Sequence, residues 1–178
     1  MKKPGENTVL RYSVYLLMIF FFFFFCVSGC KEEKQRELSQ QSASTFYEPE
    51  FRKEGELTFI TKENKSTIVT IDIEIADTLH EKRIGLMFRK AMADRAGMLF
   101  VFGNRKSRFF WMKNTYIPLD MIFIGKGMQI VGIAKNTTPL SEELIPVHED
   151  SQYIVEVNAG FADTYSIQAG DYVVIKSL

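Results

Sequence analysis

The sequence predicts an α+β fold that is mainly β, with antiparallel strands curled into a small barrel or sandwich and one or two short helices. Three observations carry this expectation. Residues 67–76 alternate strictly, with Val69, Ile71, Ile73 and Ile75 on one side and Thr70, Asp72 and Glu74 on the other, the period of a strand with one wet face. The later apolar runs are short, rich in aromatic and β-branched residues, and parted by turns containing Gly or Pro. The βαβα alternation of a parallel sheet is absent, so antiparallel pairing is expected throughout.

A chain of 178 residues predicts one domain with an appendage. Hydrophobic residues make up 46% and charged residues 25%, an ordinary globular composition. The 22 basic and 22 acidic residues cancel, which gives no electrostatic reason to expect nucleic acid as a partner and argues against a polybasic membrane-surface patch.

The amino terminus reads as a targeting segment. Lys2, Lys3 and Arg11 precede an apolar run over residues 14–27 that includes six consecutive Phe, positions 20–25. Val27-Ser28-Gly29-Cys30 follows, and resembles the lipobox of bacterial lipoproteins, in which the Cys is acylated and becomes the first mature residue. An uncleaved anchor is the alternative, since residues 12–29 are just long enough to span a bilayer. The order of basic, apolar and small residues favours the lipobox. The expectation is a signal peptide over residues 1–29, lipidation of Cys30, and a membrane partner reached through that lipid. The domain then faces the extracytoplasmic side of the cell envelope. If the organism sorts lipoproteins by the residue after Cys, Lys31 favours the outer membrane. Cys26 leaves with the signal, so Cys30 is the one cysteine remaining. A disulfide framework, a thiolate nucleophile and a cysteine metal site are thereby excluded. Residues 30–56 are polar and charged with almost no apolar periodicity, and read as a disordered tether ahead of a single domain at 57–178.

Within the domain, residues 57–61 and 67–76 are strand candidates. Asp77 or Thr78 caps a helix running through Phe88, with Leu79, Ile84, Leu86 and Met87 as its apolar stripe. Arg83 falls inside that stripe and is read as packing its stem while the guanidinium snorkels outward. The continuous run Met98-Leu99-Phe100-Val101-Phe102 suits a strand covered on both faces, and residues 103–108 form a basic turn. The stretch from Phe109 to Ile124 is a strand–loop–strand unit whose loop carries Pro118. Gly125-Lys126-Gly127 turns a hairpin into residues 129–133. A long loop over 135–152 precedes a strand at 153–157, a short helix capped by Asn158, and a closing strand at 172–176.

Several segments together resemble a known family. Gly85-Leu86-Met87-Phe88-Arg89, Gly97-Met98-Leu99-Phe100-Val101-Phe102, Phe110-Trp111-Met112-Lys113-Asn114-Thr115 and Ile117-Pro118-Leu119-Asp120 are followed by Glu156-Val157-Asn158-Ala159-Gly160 and Gly170-Asp171. In this order and spacing they are similar to domain of unknown function 192, over roughly residues 67–176. Glu81-Lys82 stands where the family often has Glu-Arg, and Gly125 where it often has an acid. The resemblance implies a compact, mostly β domain often found behind export or lipoprotein signals. It implies no established activity, so no catalytic residue is carried over.

The chemistry legible in the residues is sparse. Phosphate-binding loops, dinucleotide fingerprints, HExxH and a nucleophile-elbow serine are missing, and no cofactor is expected. His148-Glu149-Asp150 lacks the spacing that lets ligands converge on one ion, so no metal site is expected. The best constellation is Arg89, Trp111, Lys113, Asn114, Asp120, Glu156 and Asn158, an aromatic platform with a few acids and bases such as a polar ligand needs. Asp120 has apolar residues on both sides of its alternation, so its carboxylate must find donors, with Arg89, Lys113 and the amides of 114–117 as candidates. Three classes stand open: a lipid-anchored module binding a small molecule or glycan, a hydrolase using Asp120 and Glu156 as paired carboxylates, and an envelope scaffold. The reading favours the binding module and leans away from an enzyme.

Overall fold

The computed structural model describes residues 48–102, 109–147 and 151–177. The leader, Cys30, most of the expected tether, the basic turn at 103–108 and His148-Glu149-Asp150 lie outside the described residues. In chain order the elements are β1 (Gly55–Ile60), β2 (Thr67–Ala76), α1 (Leu79–Ile84), β3 (Ala96–Val101), β4 (Phe109–Phe110) and β5 (Leu119–Gly125). They continue with β6 (Ile130–Ala134), β7 (Ile145–Pro146), β8 (Ser151–Asn158), α2 (Phe161–Thr164) and β9 (Tyr172–Ser177). Seven strands form one sheet in the order β6-β5-β8-β3-β2-β1-β9, and β4 pairs with β7 in a separate ribbon. The fold is mainly β with two short helices, as its strand pattern predicts.

The sheet curls until its two edge strands meet at one end. Gln129 bridges Tyr172, the Ile130 amide donates to the Asp171 carbonyl at 2.8 Å, and the Val173 amide donates to the Met128 carbonyl at 2.9 Å. These bonds cover backbone groups that an open edge would expose. One core fills the inside of the curl, with Leu57, Phe59, Ile71, Ile73, Leu99, Ile122 and Val155. A second core lies on the outer face, where Met98, Phe100, Met121, Phe123 and Ile154 meet Leu86, Met112 and Ile117. All of β5 is buried because its alternate side chains enter both cores.

Several details differ from the sequence-based expectation, each for a local reason. First, β2 and β3 run parallel, with Asp72 opposite Ala96 and Ala76 opposite Phe100. The connection over 77–95 contains α1 and is long enough for the crossover a parallel pair requires. Second, the outer face of β2 is wet only in part: Thr70 is exposed, but Glu74 is buried by the cover that follows α1. Third, α1 ends at Ile84. Its start is the expected one, with Thr78 and Glu81 forming a reciprocal capping box. Gly85 then takes φ +49 and stops it, and a Cβ there would sit 3.1 Å from the Phe100 ring. No residue of α1 is buried and Leu79 is 89% exposed, so of the expected stripe Leu86 beyond the helix end is buried while Ile84 and Met87 are half-buried.

Fourth, Asn158 does not cap α2. That helix starts from Gly160 at φ +82 with no side-chain cap, while the Asn158 amide donates to the carbonyls of Met92 and Ala93 at 3.0 and 3.4 Å. The strand–loop–strand unit also splits, since β4 pairs with β7 whereas β5 lies between β6 and β8. β1 begins at Gly55, and the chain just before it already meets β2. The Arg52 amide donates to Glu74 at 3.0 Å and the Glu54 amide to the Ile73 carbonyl at 2.8 Å.

Candidate functional site

A cavity of about 330 Å³ opens on the outer face of the sheet, between α1 and β4. Strand register places its floor. Along the outer face Glu74 of β2, Met98 of β3, Glu156 of β8 and Met121 of β5 form one row, because each is cross-strand partner to the next. The adjoining row is Ala76, Phe100, Ile154 and Phe123. Glu156 and Phe100 from these rows line the cavity, with Leu86 and Thr115 from the covering segments. All four are buried.

The walls are aromatic. Phe110 of β4 sets its ring at 5.2 Å and 85° to Phe100, and at 6.2 Å and 83° to Phe102, an edge-to-face cluster of three rings. Trp111 and Phe109 stand at the mouth, 44% and 60% exposed. Lys82 and Arg83 of α1 also line it. The Lys82 ammonium lies 5.3 Å from the centre of the Phe102 ring and donates to the Asp77 carbonyl.

Glu156 is the chemically unusual group. Its side chain is buried, it lines the cavity, and it has no hydrogen-bond or ion-pair partner among the described residues. Burial disfavours the charged form and pushes its carboxyl up to about 8. Near neutral pH the floor of the cavity therefore carries a carboxylic acid able to donate a hydrogen bond.

Of the seven residues expected to make a site, Trp111 and Glu156 line the cavity and the other five do not. Arg89 is buried with its Nη1 2.5 Å from Oε2 of Glu74, so it binds the covering segment to β2. Lys113 pairs with Glu142 at 3.1 Å, and its ammonium lies 5.3 Å from the Trp111 ring centre. Asn114 sits at φ +56 in a turn, and its carbonyl accepts the Phe88 amide at 2.8 Å. Asn158 holds the loop at 92–93 through its side-chain amide.

Asp120 is fully buried, as its alternation demands, but its partners are different from those expected. Its two oxygens accept the amides of Asn136 at 2.9 Å and Ala162 at 3.0 Å, tying the end of β6 and the start of α2 to β5. Register also overturns the paired-carboxylate geometry. Asp120 lies opposite Val157 and Glu156 opposite Met121, so the two acids point to opposite faces of the sheet. They cannot flank one bond.

Phe100, Phe102, Phe110, Lys82 and Arg83 were absent from the expected site. The aromatic residues read as core by their apolar runs; Phe100 belongs to it, and Phe102 and Phe110 pack half-buried against it. Arg83 did leave a signal, a cation within an apparently apolar stripe. Among the described residues no group of three or more His, Cys, Asp or Glu could hold a metal ion, and no helix is long and apolar enough to cross a membrane.

This buried acid in an aromatic cavity sits in a fold with known relatives. The family described as DUF192, uncharacterized ACR, matches residues 59–175, and the chain belongs to that family. Two solved structures are similar to it. One is a Sinorhizobium meliloti 1021 protein described as a "putative transcription regulator", 35% identical with a TM-score of 0.65, the match covering 71% of this chain and 97% of that one. The other is a Novosphingobium aromaticivorans DSM 12444 protein of unknown function, 34% identical with a TM-score of 0.62, covering 67% and 83%. Comparison with curated proteins finds no match.

Proposed function

We propose that this chain is a lipid-anchored, extracytoplasmic module that binds a small organic molecule in the cavity between α1 and β4. The observation that supports it is Glu156, a buried acid at the floor of an aromatic-walled cavity, with no hydrogen-bond or ion-pair partner among the described residues. A buried polar group that is left unsatisfied costs about 1–3 kcal/mol, and a ligand that meets it recovers that stabilisation. Other buried acids among the described residues do have partners: Asp120 and Asp171 accept backbone amides, and Glu74 pairs with Arg89 and accepts the Arg52 amide. Aromatic walls with few polar groups suit an apolar body better than a glycan, which needs many more polar contacts.

Trp111 is the chain's one tryptophan and stands at the mouth, so its fluorescence reports occupancy. The test is titration with a panel of small aromatic acids, amines and oligosaccharides. A saturable change in Trp111 emission that is lost in Glu156→Ala supports the reading. A flat response across the panel, or one unchanged in the variant, overturns it.

The anchoring half of the proposal rests on Val27-Ser28-Gly29-Cys30. Several acyl chains, each contributing about 0.8 kcal/mol per buried methylene, hold a domain at a bilayer. Fatty-acid label is expected on the native chain and absent from Cys30→Ala. Equal label on both would end it.

A further inference from the structure

If the cavity binds a small molecule, its chemistry also discriminates among ligands. Three features bear on the choice. The walls are the Phe100, Phe102 and Phe110 cluster, which fits a flat apolar or aromatic body. The mouth carries two cations, Lys82 and Arg83, and among the described residues no carboxylate other than Glu156 lines the cavity. Arg83 is exposed and makes no hydrogen bond or ion pair among the described residues.

We infer that the ligand is a small amphiphilic anion, with an aromatic or apolar body among the three Phe rings and an acidic group held at the mouth by Arg83 and Lys82. This assignment rests on the binding function proposed for the same cavity. A hydroxyl or carbonyl at the ligand's inner end meets the Glu156 carboxyl. The alternative, an organic cation using Glu156 as counterion, fares worse on the same geometry. It would pass between two positive side chains, and it would have to strip a proton from an acid that burial holds protonated at neutral pH. The other charged groups facing Glu156 are few. Glu74 on the outer face of β2 is neutralised by Arg89, and Lys82 and Arg83 come from α1. The flanking strands present Met98 and Met121, and β4 presents Phe109 and Phe110.

A matched pair of probes separates the two. Naphthalene-2-sulfonate and 2-naphthylmethylammonium share a ring system and differ in charge. Both are titrated by calorimetry into the full chain in phosphatidylcholine nanodiscs, with empty discs as the blank. The sulfonate is expected to bind at least about tenfold tighter at pH 7, and 6-hydroxynaphthalene-2-sulfonate tighter again through Glu156. Arg83→Gln, at an exposed position, is expected to weaken the sulfonate about threefold and leave the ammonium probe unchanged or tighter. Raising the pH through about 8 ionises Glu156, so sulfonate affinity falls and ammonium affinity rises, and Glu156→Gln removes both trends.

Tighter binding of the ammonium probe overturns the anion assignment and leaves the cavity as a binding site. Sulfonate binding indifferent to both variants places the probe elsewhere and likewise overturns it. Failure of both probes to bind counts against the binding function itself.

Discussion

The Nη1 of Arg89 lies 2.5 Å from Oε2 of Glu74, and both side chains are buried, 6% and 10% exposed. The contact joins β2 to the segment after α1 that forms one wall of the cavity. Its geometry is close but off-line: Glu74 Oε2 and Arg89 Nε lack a well-directed hydrogen bond, while Glu74 Oε1 accepts the Arg52 amide. Such a pair gives little net stability over an apolar pair, but losing one partner strands the other. Arg89→Met is expected to cost about 3–5 kcal/mol, and the double change Glu74→Met with Arg89→Met much less. Urea denaturation of the three proteins checks this, and equal losses in the single and double variants would show the two groups to be uncoupled.

Asp120 predicts a different pattern, because its partners are backbone amides and not a cation. Asp120→Ala leaves the Asn136 and Ala162 amides without an acceptor, at about 1–3 kcal/mol each. Asp120→Asn keeps one acceptor and turns a donor toward the other amide, so it is expected to fall between the native protein and the alanine variant. Ligand affinity at the cavity should be unaffected in whatever fraction stays folded, since Asp120 points to the opposite face. A loss below about 0.5 kcal/mol for Asp120→Ala would contradict the structural role.

Glu156 makes stability depend on pH with a definite sign. Its folded value, raised to about 8 from 4.5, means that the native state holds a proton the unfolded state releases between those two pH values. The stabilisation is therefore complete below about pH 4.5 and lost as pH rises toward 8, with a slope of about −1.4 kcal/mol per pH unit in that window. Glu156→Gln is neutral at every pH and should erase this part of the slope. The check is the difference between native and variant unfolding free energies from pH 5 to 9. A difference independent of pH would mean the carboxyl is ionised in the fold.

At Gly97 there is no room for a side chain between β3 and its neighbours. A Cβ there would lie 2.7 Å from the Glu156 backbone oxygen, 3.1 Å from Val157 and 3.2 Å from Ile71. Because the tightest contact is backbone, side-chain repacking cannot relieve it, and Gly97→Ala is expected to cost about 1–3 kcal/mol. Combining it with Val157→Ala should not restore stability. A midpoint of denaturation equal to that of the native chain would refute the crowding.

The sequence by itself determined most of the strands, because a half-buried strand must alternate and a fully covered one must be apolar on both sides, but β7 lies inside the segment 135–152 that reads as a loop. Residues 67–76 were legible on that ground, as was the start of α1, where Thr78 and Glu81 bond to each other's backbone across one turn. The burial of Asp120 was legible too, since both faces of its strand are apolar. Its partners were not: they come from positions 136 and 162, brought to residue 120 only by the pairing of β5 with its neighbours and the turn into α2. Tertiary structure decided the parallel pairing of β2 with β3 and the closure of the sheet through Gln129 and Tyr172. It also decided the separation of Asp120 from Glu156, two acids that look like partners in the sequence. Which acid is satisfied and which faces a cavity depends on register between strands far apart in the chain. Arg89 and Glu156 have the same claim to a site when read along the sequence, but the cover after α1 brings Arg89 to Glu74, while among the described residues Glu156 meets no counterion.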